Sequence, residues 1–178
     1  MEQSRPQRRS IRLLEWDYAA EAAYHITLVT EARLCIFGDV VGDAVILSPC
    51  GQIIQEEWLA SATIRREVKL DTYIVMPNHL HAIVWIQGPP PSEKPTPRLA
   101  RGPRPKSLGA LVGGFKAATT RRIRALLQTP EAVIWQRNYY ERIIRDEREL
   151  NAIRQYILDN PARWADDEEH PQYTGPRS

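Results

Sequence analysis

His79-Leu80-His81 places two imidazoles two residues apart. On a β-strand, positions i and i+2 face the same side, so the two rings would stand together while Leu80 turns to the core. Imidazole nitrogens at that spacing can hold one divalent ion. The same pair also reads as two surface or half-buried histidines without a ligand. Two of the four histidines gather here, directly after Pro77-Asn78, where a strand start would expose them. Neither the cysteines nor a third histidine completes a zinc set. Any ion would occupy an incomplete, open site, which suits Mg²⁺ or Mn²⁺ acting on a phosphate better than a closed structural Zn²⁺. Tyr156 and Asn160 follow far along the chain at an i, i+4 spacing, which puts them on one helix face. A tyrosine hydroxyl at the edge of a buried face can act as a covalent nucleophile when a nearby metal polarises the electrophile. The Asn160 amide, one turn on, could complete the metal shell. A structural tyrosine with a wet tip is the ordinary alternative. Among seven tyrosines, Tyr139 and Tyr140 are rivals, and periodicity alone does not select Tyr156.

Charge gives a second constellation. The net charge is +2, but no acidic residue occurs from Lys94 to Pro130, a window that holds nine lysines and arginines. Lys116, Arg121, Arg122 and Arg124 fall on one predicted helix and are the first candidates for phosphate contacts; Arg137, Arg142 and Arg145 are the second. Arg5, Arg8, Arg9 and Arg12 add to the stripe from the N-terminal arm. A basic stripe on a nearly neutral protein is the footprint expected for a polyanion, since each neutralised phosphate releases counterions. A solvated Arg-rich face kept for solubility would look the same from charge alone.

The elements that must position these groups read as follows. Residues 1–13 form a basic, flexible arm. Tyr24–Thr30 is short, β-branched and aromatic, hence a strand, and Ala44–Leu47 is a weaker one. Ile53, Ile54, Trp58, Leu59, Ala62 and Ile64 recur near 3.6 residues, predicting a helix over 52–66. Asp71–Met76 and His81–Ile86 are apolar runs joined by a tight turn at Pro77-Asn78. Residues 89–105 carry seven of the fourteen prolines and read as an extended loop. Ser107 caps a helix running to about Gln128, in which Gly113-Gly114 allows either a close approach or a break. Residues 132–144 return to the sheet. Asp146 and Glu149 form a capping box for a last helix with Leu150, Ile153 and Ile157 as its buried stripe, ended or kinked at Asn160-Pro161. Trp164 folds back on the core, and 166–178 is a loose acidic tail after a single domain over 14–165. The order predicts an α+β fold, a mainly antiparallel sheet with helices on one or both faces.

At this point the chain resembles a known family. MPNHLHAIVWI, SLGALVGGFKAATTRRI and WQRNYYERIIRDERELNAIRQYILDNPARW, in this order and spacing, look like the REP-associated tyrosine transposases, relatives of the single-strand HUH transposases. The likeness runs from about Tyr24 to Trp164. It implies a ferredoxin-like palm with the histidine pair on a central strand. It also implies that His79 and His81 bind Mg²⁺ or Mn²⁺. Tyr156, in Tyr156-Ile157-Leu158-Asp159-Asn160-Pro161, would be the nucleophile and Asn160 a further ligand. The implied reaction is cleavage and transfer of single-stranded, hairpin-containing DNA through a 5′-phosphotyrosyl enzyme. Relatives include monomers and dimers, and the sequence does not choose. The long 89–105 insertion and the short tail depart from the family pattern.

Composition limits the alternatives. A hydrophobic fraction of 43% and a charged fraction of 26% are those of a globular protein, not of a disordered or collagenous one. No apolar run approaches the roughly 18 residues that span a bilayer, and no secretory signal is expected. Cys35 and Cys50 read as free thiols in a reducing cytoplasm, with a single bridge between them as the alternative; the transposase resemblance implies a nucleoid-associated protein. Besides the transposase reading, two others stand: a single-strand nucleic-acid binder without chemistry, and a metallohydrolase using His79 and His81 with a water nucleophile.

Overall fold

The structure is a computed structural model that describes residues 22–87 and 106–175. The arm 1–13 and the loop 89–105 fall outside the described residues. The elements are β1 (Ala22–Val29), β2 (Gly38–Val41), β3 (Ala44–Leu47), α1 (Pro49–Ile64), β4 (Val68–Val75), β5 (His79–Ile86), α2 (Leu108–Leu127), β6 (Tyr140–Ile144) and α3 (Glu147–Asp159). A 3-10 turn over Pro161–Asp166 follows α3.

Four strands form one antiparallel sheet in the order β4-β5-β1-β6, and β2-β3 is a separate hairpin. Apart from that hairpin, the path β1-α1-β4-β5-α2-β6 is the ferredoxin-like arrangement. Both central strands are buried almost end to end, which is why they read as near-continuous apolar runs rather than as alternating ones. One face packs Tyr24, Ile26, Leu28, Leu80, Ala82 and Val84 against Ile54 and Trp58 of α1 and Leu111, Phe115 and Ile123 of α2. The other face packs Ile83 against Leu150 and Ile157 of α3, with Ile74, Trp85, Ile144 and Ile153 around them. Each fully buried aliphatic side chain contributes about 1.5–3 kcal/mol of transfer free energy.

Local chemistry sets the helix ends. Ser48 Oγ accepts from the Gly51 amide and Ser107 Oγ from the Ala110 amide, so both α1 and α2 start on a serine cap. Gly51 lets α1 pass against the Phe37 carbonyl, where a Cβ would collide with backbone. The helix at Gly113-Gly114 does not break; a Cβ at Gly114 would crowd the Arg65 guanidinium, which donates to the Ala110 carbonyl. Asp146 Oδ1 caps α3 by accepting from the Glu149 amide, but the Glu149 carboxylate reaches past the cap and accepts from the Arg145 amide, one residue before the Asp146 amide that a full capping box engages.

Several expectations shift. β2 carries no strong strand signal and is held by its hairpin partner, with Asp39 opposite Ile46. The strand signal over 132–144 resolves into one bridge, Thr30 with Trp135, and the short β6. The segment expected as a loose tail is tied down over its described part. Arg33 pairs with Glu169 at 2.7 Å, the Asn78 amide donates to the Glu169 carbonyl, and Asp167 is buried. The physical reason is that this segment supplies acceptors to donors of the folded domain: the Glu169 carboxylate to Arg33, the Glu169 carbonyl to the Asn78 side chain and the Asp167 carboxylate to the buried Asn160 side chain. Cys35 and Cys50 are both free thiols.

Candidate metal and nucleophile site

The register of β1 and β5 builds the site. Thr27 stands opposite His81 and Val29 opposite His79, all on the α3 face of the sheet. Leu80 points to the α1/α2 core, as strand alternation requires. The histidines are not at an exposed strand start: His79 is fully buried and His81 nearly so. Their rings meet edge to face, with centroids 4.5 Å apart.

Burial decides their protonation. It lowers His79 to about 3, and it lowers His81 well below the ordinary value, helped by neighbouring His79 and His25. Both rings are therefore neutral near pH 7 and keep a lone pair. Hydrogen bonds select which nitrogen carries it. The Asn78 side-chain nitrogen donates to the Arg33 and Glu169 carbonyls, so its oxygen is the acceptor facing His79 Nδ1 at 2.8 Å. Nδ1 must then hold the proton, which leaves the His79 Nε2 lone pair buried and without a hydrogen-bond partner among the described residues. Thr27 Oγ1 contacts His81 Nδ1 at 2.9 Å, so His81 Nε2 faces the site.

α3 and the turn after it supply the other groups. Tyr156 Oη lies 3.4 Å from His81 Nε2, and the two rings are edge to face at 5.2 Å. Tyr156 is 41% exposed. Burial of its hydroxyl, with the nearby charges of Asp167, Glu168 and Glu169, pushes the phenol up to about 12. Asn160 is buried one turn on, and its Nδ2 donates to Asp167 Oδ2 at 2.9 Å while its Oδ1 accepts no hydrogen bond among the described residues. The second oxygen of Asp167 accepts from the Glu169 amide at 2.7 Å. Asp167 Oδ2 is 4.0 Å from His81 Nε2. All of these side chains belong to one chain.

His79, His81 and Asp167 each offer a ligand atom, and those atoms lie within 4.8 Å of one another. This group could bind a metal. The donor set fits: two neutral imidazoles, one carboxylate, and two orphaned lone-pair atoms, His79 Nε2 and Asn160 Oδ1, beside them. Asp167 was missed by sequence reasoning, as one acid in a run of four after Trp164 with no fixed spacing to the histidines. His25 was missed as well. It is a lone histidine in an apolar strand, yet its ring packs against His81, Tyr140 and Tyr156 at 5.6–6.1 Å, and burial lowers it to about 4. Trp164 folds back on His79 at 5.9 Å rather than on the main core.

No family model matches the chain. An uncharacterized protein of Haemophilus influenzae is 33% identical over 167 residues, covering 90% of this chain and 92% of that one. The chain belongs to that protein's family. Among solved structures, a REP-associated tyrosine transposase bound to a REP hairpin is similar with a TM-score of 0.59 and 15% identity, over 86% of this chain and 74% of that one. The two share the fold, an antiparallel sheet of four strands with helices packed on it.

The basic candidates do not form one surface. Lys116, Arg121, Arg124 and Arg137 line a single cleft. Arg122 instead turns to α1 and pairs with Glu56 at 2.6 Å and Glu57 at 2.9 Å, so its charge is already answered. Arg142 pairs with Glu149. Arg145 lies exposed just before α3, apart from the cleft. One residue of helix separates these fates: residues 121 and 124 share a face, while 122 is rotated about 100° from 121.

Proposed function

We propose that the chain is a metal-dependent single-stranded DNA endonuclease and strand transferase, in which Tyr156 forms a 5′-phosphotyrosyl intermediate on hairpin-containing DNA. The observation that carries this reading is the 3.4 Å approach of Tyr156 Oη to His81 Nε2 at the edge of the His79–His81–Asp167 group. The fold shared with a transposase whose structure holds a REP hairpin supports the substrate class.

In this reading His79, His81 and Asp167 hold the cation, with Asn160 Oδ1 available beside them. Mg²⁺ or Mn²⁺ bound there would draw electron density from the scissile phosphate and stabilise its developing charge. The chain's own residues do the rest. Asn78 fixes the His79 proton on Nδ1 and so keeps Nε2 free. Thr27 holds His81. The Asn160 amide orients the Asp167 carboxylate. The partial exposure of Tyr156 lets a strand reach it. Its phenolic oxygen attacks phosphorus in line and gives up its proton to solvent; the O–P bond forms as the P–O3′ bond breaks, and the departing 3′-oxygen takes a proton from solvent to become a free hydroxyl. A 3′-hydroxyl attacking the phosphotyrosine reverses these bonds and rejoins strands without ATP.

The test is Tyr156→Phe with single-stranded oligonucleotides that span a hairpin. The wild type should give a denaturation-resistant adduct mapped to Tyr156, and the variant should give neither adduct nor cleavage. Excess EDTA should also stop the reaction. Cleavage by Tyr156→Phe would pass the chemistry to water or to another residue.

A further inference from the structure

A cleft of about 700 Å³ lies between α2 and residues 130–137, on the sheet face opposite α3. Its rim carries Lys116, Arg121, Arg124 and Arg137, and among the described residues no acidic one lines it. Two of these cations are committed to holding the walls together. Lys116 Nζ donates to the Gln136 carbonyl at 2.8 Å, and Arg124 Nε donates to the Ala132 carbonyl at 2.8 Å. The other two, Arg121 and Arg137, are exposed and make no ion pair among the described residues. The remaining wall is apolar: Val133 is 62% exposed, and the rim of Trp135 lies behind it. Trp135 is itself fixed, its Nε1 donating to Thr119 Oγ1 at 2.9 Å and its ring packed on Phe37 and Phe115. Two guanidiniums without an ion pair among the described residues, beside an exposed apolar side chain, match the two parts of a nucleotide, an anionic phosphate and a base with apolar faces. The volume is within the range of small-ligand sites. The wall also leads toward the histidines, because the Gln136 amide donates to the carbonyl of Val29, the residue paired with His79.

We propose that this cleft docks a single DNA strand, with backbone phosphates on Arg121 and Arg137 and a base against the apolar wall at Val133. The proposal rests on the reading of the chain as a DNA-acting protein and adds a binding surface remote from the chemistry. A strand lying there would round the β6 edge of the sheet toward the Tyr156 side.

The test is binding of fluorescent oligothymidylate by the full chain in EDTA, followed by anisotropy across a salt series, so that neither the cation nor Tyr156 takes part. Arg121→Ala/Arg137→Ala should weaken binding and reduce the slope of log affinity against log salt by about 1.4, two contacts at about 0.7 each. Arg66→Ala/Arg148→Ala removes the same charge from exposed positions outside the cleft and should leave the slope nearly intact. Val133→Glu, at an exposed site that the core does not need, should weaken binding as well. If wild type binds but the cleft pair keeps its slope, or both pairs lose it equally, the cleft is not the docking site. If wild type does not bind at all, the reading of the chain as acting on DNA falls, and this proposal with it.

Discussion

Asp167→Asn separates a metal ligand from a merely buried acid. In the free protein both carboxylate oxygens accept: Oδ2 from Asn160 Nδ2 at 2.9 Å and Oδ1 from the Glu169 amide at 2.7 Å. An asparagine amide keeps one acceptor and sets a donor against a donor at the other. Leaving a buried donor unanswered costs about 1–3 kcal/mol. Relief of the buried negative charge works the other way and holds the cost toward the low end. At about 2–4 °C per kcal/mol for a chain of this size, the melting temperature should fall by a few degrees. The larger effect is on the ion. A cation at about one hundred times its dissociation constant stabilises the folded state by about 2.7 kcal/mol, or about 5–11 °C. Asp167→Asn should lose most of that Mn²⁺-dependent gain, and His79→Ala/His81→Ala should lose all of it. The assay is thermal unfolding with Mn²⁺ titrated from zero, with Ca²⁺ as a control for unspecific binding. A full Mn²⁺ gain in Asp167→Asn would refute the carboxylate as a ligand. A full gain in the double histidine variant would refute the site.

Three further outcomes follow from particular contacts. Asp71 accepts from Arg154 Nη2 at 2.6 Å and Nε at 2.9 Å, and from Trp85 Nε1 at 3.2 Å, tying α3 to β4; the Arg154 guanidinium first, then the Thr72 and Trp85 donors, hold its carboxyl well below the usual carboxylate range despite burial. A lowered folded pKa means that this stability is complete above the unfolded value of about 4 and is lost as pH falls below it, so wild type should melt above Asp71→Asn at pH 7 and the two should converge in acid; a constant gap down to pH 2 would contradict this. Thr119→Val leaves the buried Trp135 Nε1 without its acceptor and should cost about 1–3 kcal/mol, read from denaturant midpoints at unchanged m-value. Arg122→Ala should leave both DNA affinity and its salt slope unchanged, because Glu56 and Glu57 already answer that guanidinium; a slope lowered as much as by the cleft pair would return Arg122 to the binding surface.

What the sequence determined about this protein is what local pattern can carry. Strand alternation put His79 and His81 on one face with Leu80 on the other, and helix periodicity with a serine or aspartate cap marked α2 and α3 nearly to the residue. The i, i+4 relation of Tyr156 and Asn160 was likewise legible, since it depends only on helix geometry. The pairings that make a site could not be read this way. His25 comes beside His81 through the β1–β5 register, Asp167 reaches the histidines through a 3-10 turn after Pro161, and the packing of α3 on the sheet brings the Tyr156 hydroxyl to 3.4 Å from His81 Nε2. The same holds for charge: the run of basic residues is visible in the chain, but only the neighbours brought by α1 and by residues 130–137 decide that Arg122 is neutralised while Arg121 is free. Backbone periodicity is a property of a few consecutive residues, whereas a ligand set or an ion pair depends on distances between residues far apart in sequence, which only the packed tertiary structure defines.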